Sequence, residues 1–212
     1  MKKVVLASLL FACFNAYAED ATVAAKVSTL GFGVDVAMPI TGSIDGRVGL
    51  NKFNYNLSKS VSSNTGVTDY SGQLNLQSLE ALADYHPWAS SFRLTGGFMY
   101  NDNKFSMTAV PGAGGVNIGG TNYANVSATA TVDFRKFSPY LGIGWGSAPK
   151  DKGLSFAADI GVLFQGSPNG NVTTTGNAVS AADLSRANAD LNNSLHNFRY
   201  YPVVSLGIGY TF

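Results

Sequence analysis

The final segment of the chain, residues 201–212, alternates between large apolar side chains and small or polar ones. Its apolar face carries Val204, Leu206, Ile208, Tyr210 and Phe212. Its other face holds only Ser, Gly and Thr between residues 205 and 211. A period of two predicts a β-strand, and an unbroken apolar face predicts a strand that lies between two different media.

This strand also ends the chain, on an aromatic residue. A soluble β-sandwich produces the same alternation, but so apolar a terminal strand is similar to the C-terminal signal read by the outer-membrane barrel assembly machinery. We therefore expect a bacterial, Gram-negative outer-membrane protein that has this machinery as a partner. The residues assigned to the assembly signal are Leu206, Ile208, Tyr210 and Phe212.

Other segments repeat the pattern, among them residues 92–101 and 154–165. Strands of about 10 residues with apolar side chains outward and polar ones inward are what a lipid-spanning barrel requires. Lipid leaves no partner for an unpaired sheet edge, so the sheet must close on itself. The expected fold class is all-β: a closed antiparallel transmembrane β-barrel, in contact with outer-membrane lipid and lipopolysaccharide.

The other end of the chain resembles a signal peptide. Lys2 and Lys3 precede an apolar run over residues 4–14, and Ala16-Tyr17-Ala18 forms a small-x-small triplet. We expect residues 1–18 to be the signal peptide and 19–212 to be the barrel. Processing as a lipoprotein before Cys13 is the alternative, although Phe11 is too bulky for the usual pattern. The run is about half the roughly 20 residues of a membrane-spanning helix, so no such helix is expected.

Eight strands are predicted, at 21–28, 30–38, 44–57, 70–86, 92–107, 132–146, 154–172 and 198–212. Short connections alternate with long ones at 58–69, 108–131 and 173–197, which places the short turns in the periplasm and the long loops outside. The first strand is the weakest, because the apolar phase switches at Ser28-Thr29, which indicates either a turn or a bulge. Ser180 and the leucines after it predict a short helix in the last extracellular loop, folded over the barrel mouth.

With the apolar faces directed to lipid, the positions that point into the predicted lumen include seven charged residues. They are Asp35, Asp45, Arg47, Glu80, Asp84, Arg93 and Asp159. Counting from the turns sets Asp35 opposite Arg47, and Asp84 opposite Arg93, within reach of salt bridges. An eight-stranded barrel is just wide enough for side chains to fill it or to hold one small ligand. An ion-paired plug is the favoured interpretation, and a binding relay for small charged solutes is the alternative.

The sequence offers little for catalysis. Some small barrels modify lipid A with a His beside a Ser, but His86 lies in a periplasmic turn. His196 lies near Ser194 and Asp190 without a His-x-Ser motif, so an enzyme is not expected. Two distant histidines give no metal site, and no catalytic residue or cofactor is predicted. A formal charge of +1 does not suggest a nucleic-acid partner, and we expect a monomer. A structural or surface-interaction protein remains open.

Several stretches together resemble the CarO-type family of small outer-membrane porins. They are Tyr85-His86-Pro87-Trp88, residues 94–103, residues 139–144, residues 161–168 and residues 198–203. The resemblance implies an eight-stranded barrel with a narrow or closed lumen, linked to the uptake of small amino acids. It supplies no residue that contacts a substrate.

Overall fold

The computed structural model describes residues 21–63, 66–87, 90–112, 114–146 and 152–212. The expected signal peptide and Cys13 lie outside the described residues. The described strands are β1 (Thr22–Ser28), β2 (Gly31–Pro39), β3 (Ile44–Ser63), β4 (Gly66–Tyr85), β5 (Phe92–Asn101), β6 (Lys104–Pro111), β7 (Val116–Ile118), β8 (Thr121–Tyr123), β9 (Val126–Asp133), β10 (Phe137–Gly146), β11 (Gly153–Phe164), β12 (Asn169–Gly176) and β13 (Tyr200–Thr211). One helix, α1 (Ala181–Leu195), lies between β12 and β13.

Eight of these strands pair in a ring. The order is β4-β3-β2-β1-β13-β11-β10-β5, and β5 pairs back onto β4. Every pair is antiparallel, and the first strand meets the last with Thr22 opposite Thr211 and Ser28 opposite Ser205. The predicted all-β class and the ring of eight strands are confirmed. The phase switch is a tight turn, since Ser28 pairs with Gly31, whose φ of 109° favours glycine.

The outside of the ring is apolar, as the alternation in β13 predicts. Phe98 and Leu206 each expose more than three-fifths of their surface there, while Ser205 and Thr211 are buried inside. Aromatic pairs flank this band. The ring centroids of Tyr100 and Phe137 are 5.4 Å apart at one end, and those of Phe92 and Trp145 are 5.0 Å apart at the other. An apolar band with aromatic side chains at both ends is typical of the exterior of membrane barrels.

No helix among the described residues is long and apolar enough to cross a membrane.

The predicted strands 92–107, 132–146 and 154–172 are wrong as continuous elements. The first breaks at 102–103, where the Asn103 side chain accepts a bond from the Gln77 backbone N–H at 2.9 Å. Asp102 donates its own N–H to the Gln77 carbonyl at 2.8 Å. These bonds replace the ladder where β4 exchanges its partner β5 for β6. The breaks at 134–136 and 165–168 likewise redirect the chain, the latter through Gly166 and Pro168.

Much of what the sequence assigned to long loops is therefore sheet. The predicted loops 58–69 and 108–131 contain the tips of β3 and β4, the β7–β8 hairpin and most of β9. At the end of the ring away from the termini, residues 53–63 of β3 and 66–76 of β4 continue beyond it as a pair. There β4 pairs with β6, β6 with β9, and β9 with β12. We call these five strands the head sheet, and together with α1 and the β7–β8 hairpin they form the head.

The predicted helix is present, and its start is capped by Ser180, whose hydroxyl accepts from the Ala182 N–H at 3.3 Å. The helix lies along the free edge of β12 rather than simply across the barrel mouth. Asn192 bonds the Gly170 N–H at 2.9 Å and its carbonyl at 2.8 Å, and Asn188 does the same for Val172. The two amides thus complete the edge of the head sheet as another strand would.

Candidate functional site in the barrel lumen

The ring brings the predicted lumen residues together in one buried layer. Alternation points every second side chain of each strand inward. Five strands, β2, β3, β4, β5 and β11, thereby contribute charged side chains to the lumen. All are at most 8% exposed: Asp35, Asp45, Arg47, Glu80, Asp84, Arg93 and Asp159. Removing water from so many charges is costly unless each is paired, so the contacts among them decide whether the layer is stable.

Arg47 is the centre of this layer. Its Nε lies 2.8 Å from Asp84 Oδ2, and its Nη2 donates to Asp84 Oδ1 at 3.1 Å. Its Nη1 lies 3.5 Å from Asp159 and 3.5 Å from Asp35. One guanidinium therefore joins carboxylates from three other strands across the lumen, in the forked geometry that arginine favours.

The predicted pairs exist, but as the weaker contacts. Asp35 and Arg47 are 3.5 Å apart, and Asp84 and Arg93 are 3.9 Å apart. The stronger partner of Arg93 is Asp159, which it reaches at 2.6 Å. The count placed the centre of the first turn too early along the chain, since the register sets Arg47 opposite Ala37. In a closed ring, long side chains also reach across the lumen, which a pairwise count of neighbouring strands omits.

Lys26 was missed by the sequence reasoning. It is 8% exposed on β1, with its Nζ 2.8 Å from Asp35 Oδ1 and paired with Glu80 as well. The signal was available, because Val23, Ala25 and Val27 mark the outward face of that strand and leave Lys26 inward. His86, predicted in a periplasmic turn, is buried, with its Nε2 2.7 Å from Asp45 Oδ2. Lys26 thus adds a cation to the ion-paired layer, and His86 adds a polar contact to Asp45.

Glycines leave room for these charges. A Cβ at Gly49 would collide with the Asp35 carboxylate and lie 2.8 Å from Glu80 Oε1. A Cβ at Gly144 would collide with Asp159 and lie 2.8 Å from Arg93 Nε. Polar neighbours complete the layer, since the hydroxyl of Thr95 donates to Asp84 at 2.6 Å and that of Ser205 to Asp159 at 3.2 Å.

An apolar layer packs against the charges, and on β4 its Leu82 lies between Glu80 and Asp84. It consists of Leu30, Leu82, Met99, Tyr140, Leu163 and Val203, each at most 7% exposed, with Tyr201 packed against it. On the terminal side of the charges is a cavity of about 60 Å³, and a second of about 10 Å³ lies between the two layers. A water needs roughly 10–15 Å³, so the first cavity has room for a few waters and the second for one at most. The ion pairs and the apolar layer together fill the lumen of the described chain.

The residues considered for catalysis, His196, Ser194 and Asp190, do not form side-chain hydrogen bonds with one another in the described structure. The Ser194 hydroxyl donates to the Asp190 backbone carbonyl at 2.8 Å, and the His196 ring contacts Arg199. Within the described ranges, no group of three or more His, Cys, Asp or Glu side chains could hold a metal ion.

A scan against protein-family models finds no match for this chain, and a search of curated proteins finds none either. Solved structures do match. CarO2 of Acinetobacter baumannii is 21% identical with a TM-score of 0.60, over 91% of this chain and 98% of its own. CarO of Acinetobacter baumannii is 19% identical with a TM-score of 0.58, over 92% and 98%.

The chain has the CarO fold. The resemblance drawn from its motifs is therefore confirmed at the level of the fold. A third match, a major outer membrane protein from Thermus thermophilus, is 16% identical with a TM-score of 0.47, over 91% of this chain and 99% of its own.

Proposed function

We propose that this chain is an integral protein of the bacterial outer membrane whose barrel is sealed and anchors a head at the cell surface. The observation that carries the proposal is the double layer in the lumen. A solute would have to displace both the apolar layer around Tyr140 and the ion pairs of Arg47. Both displacements cost considerable free energy. Displacing the apolar layer removes packed apolar contacts, and displacing the ion pairs leaves buried charges without their partners.

The exterior supports the membrane placement. Large side chains such as Phe156 and Leu206, 64% and 65% exposed, cover the ring, and a contiguous apolar surface on this scale is rare in soluble monomers. The orientation follows from the connections, because short turns face the periplasm in outer-membrane barrels. The head then faces outward, and the assembly machinery reads the terminal strand from the periplasmic side.

The experiment is a swelling assay on proteoliposomes that contain the purified, folded protein, with glycine as the solute and an open general porin as positive control. The sealed barrel predicts no swelling above empty liposomes. The double variant Tyr140→Ala/Arg47→Ala removes the largest side chain of the apolar layer and the central cation of the ion pairs, and it should admit a slow leak. Leu141→Ala, which removes a lipid-facing side chain, should not. Swelling of the unaltered protein at a rate near that of the porin would refute the proposal.

A second candidate is a conduit for small zwitterions, the role that the CarO-type resemblance implies. The cavity of about 60 Å³ on the periplasmic side favours it, since Asp35, Arg93 and Asp159 line it with both signs of charge. A small amino acid needs a carboxylate for its ammonium group and a guanidinium for its own carboxylate. This function requires the two layers to rearrange, and swelling with glycine but not with an uncharged solute of equal size would favour it over the anchor.

A further inference from the structure

The head sheet has two chemically different faces. Paired residues lie on the same side of a sheet, so the lumen-facing side of β3 can be followed through β4, β6, β9 and β12. That side, the inner face, is mainly apolar, although Lys59, Thr68 and Thr174 also lie on it. Its apolar residues include Phe53, Tyr55, Leu57, Val61, Tyr70, Leu74, Leu76, Phe105, Met107, Ala109, Val126, Ala128, Ala130, Val132 and Val172. The outer face carries mainly Asn, Gln, Ser and Thr, and the hydroxyls of Thr108 and Thr129 pair there at 3.0 Å. A sheet with this pattern keeps its outer face in water and covers its inner face.

Only half of the inner face is covered. Towards β9 and β12, beneath α1 and the β7–β8 hairpin, Val126 and Val132 are 0% and 4% exposed. Towards β3, Tyr55 and Leu57 are 53% and 54% exposed, and Phe105 and Met107 remain more than one-third exposed. Exposed apolar patches with polar surroundings mark sites of interaction with a partner or a membrane.

Within the uncovered half, Gly72 leaves a depression among larger side chains, which we call the groove; Tyr70 and Leu74 lie before and after it on the same face of β4. Gly72 of β4 forms its floor, since a Cβ there would meet no atom closer than 3.9 Å. Leu57 of β3 and Met107 of β6 are its paired neighbours on either side. Neighbouring strands are about 4.8 Å apart, so the two side walls stand about 10 Å apart, which is wide enough for an alkyl chain.

The groove is continuous with the lipid-facing exterior. The Phe32 ring, 63% exposed on the outside of the ring of strands, lies 6.5 Å from that of Phe53, which stacks on Tyr55 at 6.4 Å. β2 pairs with β3 only as far as Lys52, so no described strand stands between this aromatic row and the lipid. Because the β1–β2 turn at residues 29–30 is short, the wall of the barrel is low at this point.

We propose that the groove holds an acyl chain of an outer-leaflet lipid, which enters over the β1–β2 turn along Phe32, Phe53 and Tyr55. The continuity with the lipid belt selects this occupant, because a peptide or a second copy would not need an apolar path from the membrane. The inference rests on the membrane placement proposed above. It adds a lipid-binding site to the head.

The test uses tryptophan fluorescence in vesicles with and without brominated phospholipid, which quenches only tryptophans that its acyl chains touch. In a Trp88→Phe/Trp145→Phe background, Met107→Trp places the reporter in the groove. Thr108→Trp, one residue further on the same strand, places it on the outer face. We expect the brominated lipid to quench the first several-fold more strongly than the second.

Two matched substitutions that each introduce a carboxylate test whether the acyl chain occupies the groove. Leu57→Glu in the groove should abolish the quenching of Met107→Trp, whereas Ser58→Glu on the outer face should leave it intact. Equal, weak quenching at positions 107 and 108 would overturn the proposal. Quenching that depends on protein density, with cross-links between copies, would assign the face to a second copy and would also overturn it.

A Trp88→Phe variant, which keeps Trp145 as its only tryptophan, separates this failure from a failure of the membrane placement. Trp145 lies on the lipid-facing exterior and is 54% exposed, so brominated lipid must quench it in any inserted barrel. Quenching at Trp145 without quenching at position 107 leaves the barrel in the membrane and removes only the lipid from the groove.

Discussion

Replacing Arg47 by alanine is the most direct test of the ion-paired layer. The guanidinium contacts Asp84 at 2.8 Å and lies 3.5 Å from both Asp159 and Asp35. Arg93 and Lys26 would still face Asp159 and Asp35. Asp84 would keep the Thr95 hydroxyl at 2.6 Å, but its nearest described cation would be Arg93 at 3.9 Å. Removing one partner of a buried pair costs about 3–5 kcal/mol, because it leaves an uncompensated charge away from water.

We expect Arg47→Ala to lower the free energy of unfolding by about 3–5 kcal/mol. The measurement is a urea titration of the folded, reconstituted protein, with a melting curve in detergent alongside. Lys52→Ala is the matched control, since this exposed side chain lies on the same strand and points outward. Arg93→Ala should destabilise as well, because it removes the 2.6 Å contact to Asp159.

A double variant distinguishes charge from packing. Asp84→Asn removes the carboxylate that Arg47 would leave behind, so the double variant should lose less stability than the two single losses added together. Strict additivity would show that the pair is not coupled. Unchanged unfolding of both Arg47→Ala and Arg93→Ala would refute the plug itself.

Three further predictions concern single contacts. Gly144→Ala should lower the melting temperature because its Cβ collides with Asp159, whereas Gly72→Ala, with open space above it, should not; equal melting would contradict the crowding argument. Asn192→Ala should speed amide exchange at Gly170, whose N–H and carbonyl it now holds, and unchanged exchange would show that the helix does not seal that edge. Tyr123 donates to Asp183 at 2.7 Å and holds the pKa of that carboxyl below its ordinary 3.8, so Tyr123→Phe should raise that pKa in an NMR titration. This bond stabilises the carboxylate at neutral pH and is lost as the pH falls through the lowered pKa; an unmoved pKa would contradict the assignment.

The sequence predicts the ring well because lipid imposes a strict pattern on it. Every strand of the ring must direct apolar residues outward with a period of two, and β13 follows this pattern over its whole length. The head is harder to predict, because one face of its sheet lies in water and the other is only partly covered. Its strands therefore need not alternate strictly between apolar and polar residues. A signal was nevertheless present at residues 100–105, where the apolar positions move from even (Tyr100) to odd (Phe105). That shift marks the exchange of β5 for β6.

The candidate site shows the same division. Alternation alone identifies which charges point inward, and it would have included Lys26 if applied to β1. It does not identify the partners, because Arg47 and Asp159 lie on strands that are not neighbours in the ring and are 112 residues apart in the chain. Contacts across a lumen depend on which strands close the ring and on the register of each pair. A shift of one residue in the register would give each inward side chain different partners.

The two edges of the head sheet are treated in opposite ways. At β12, Asn188 and Asn192 pair with the backbone, and Leu191 packs over Gly170, so this edge is covered by the chain itself. At residues 53–63 of β3, the described chain supplies no such cover. Proteins close or blunt long sheet edges to prevent association, so an edge left open next to an apolar groove needs a reason. Both features adjoin the lipid belt at Phe32, and an acyl chain from the outer leaflet that lies along the groove would account for the open edge and the exposed face together.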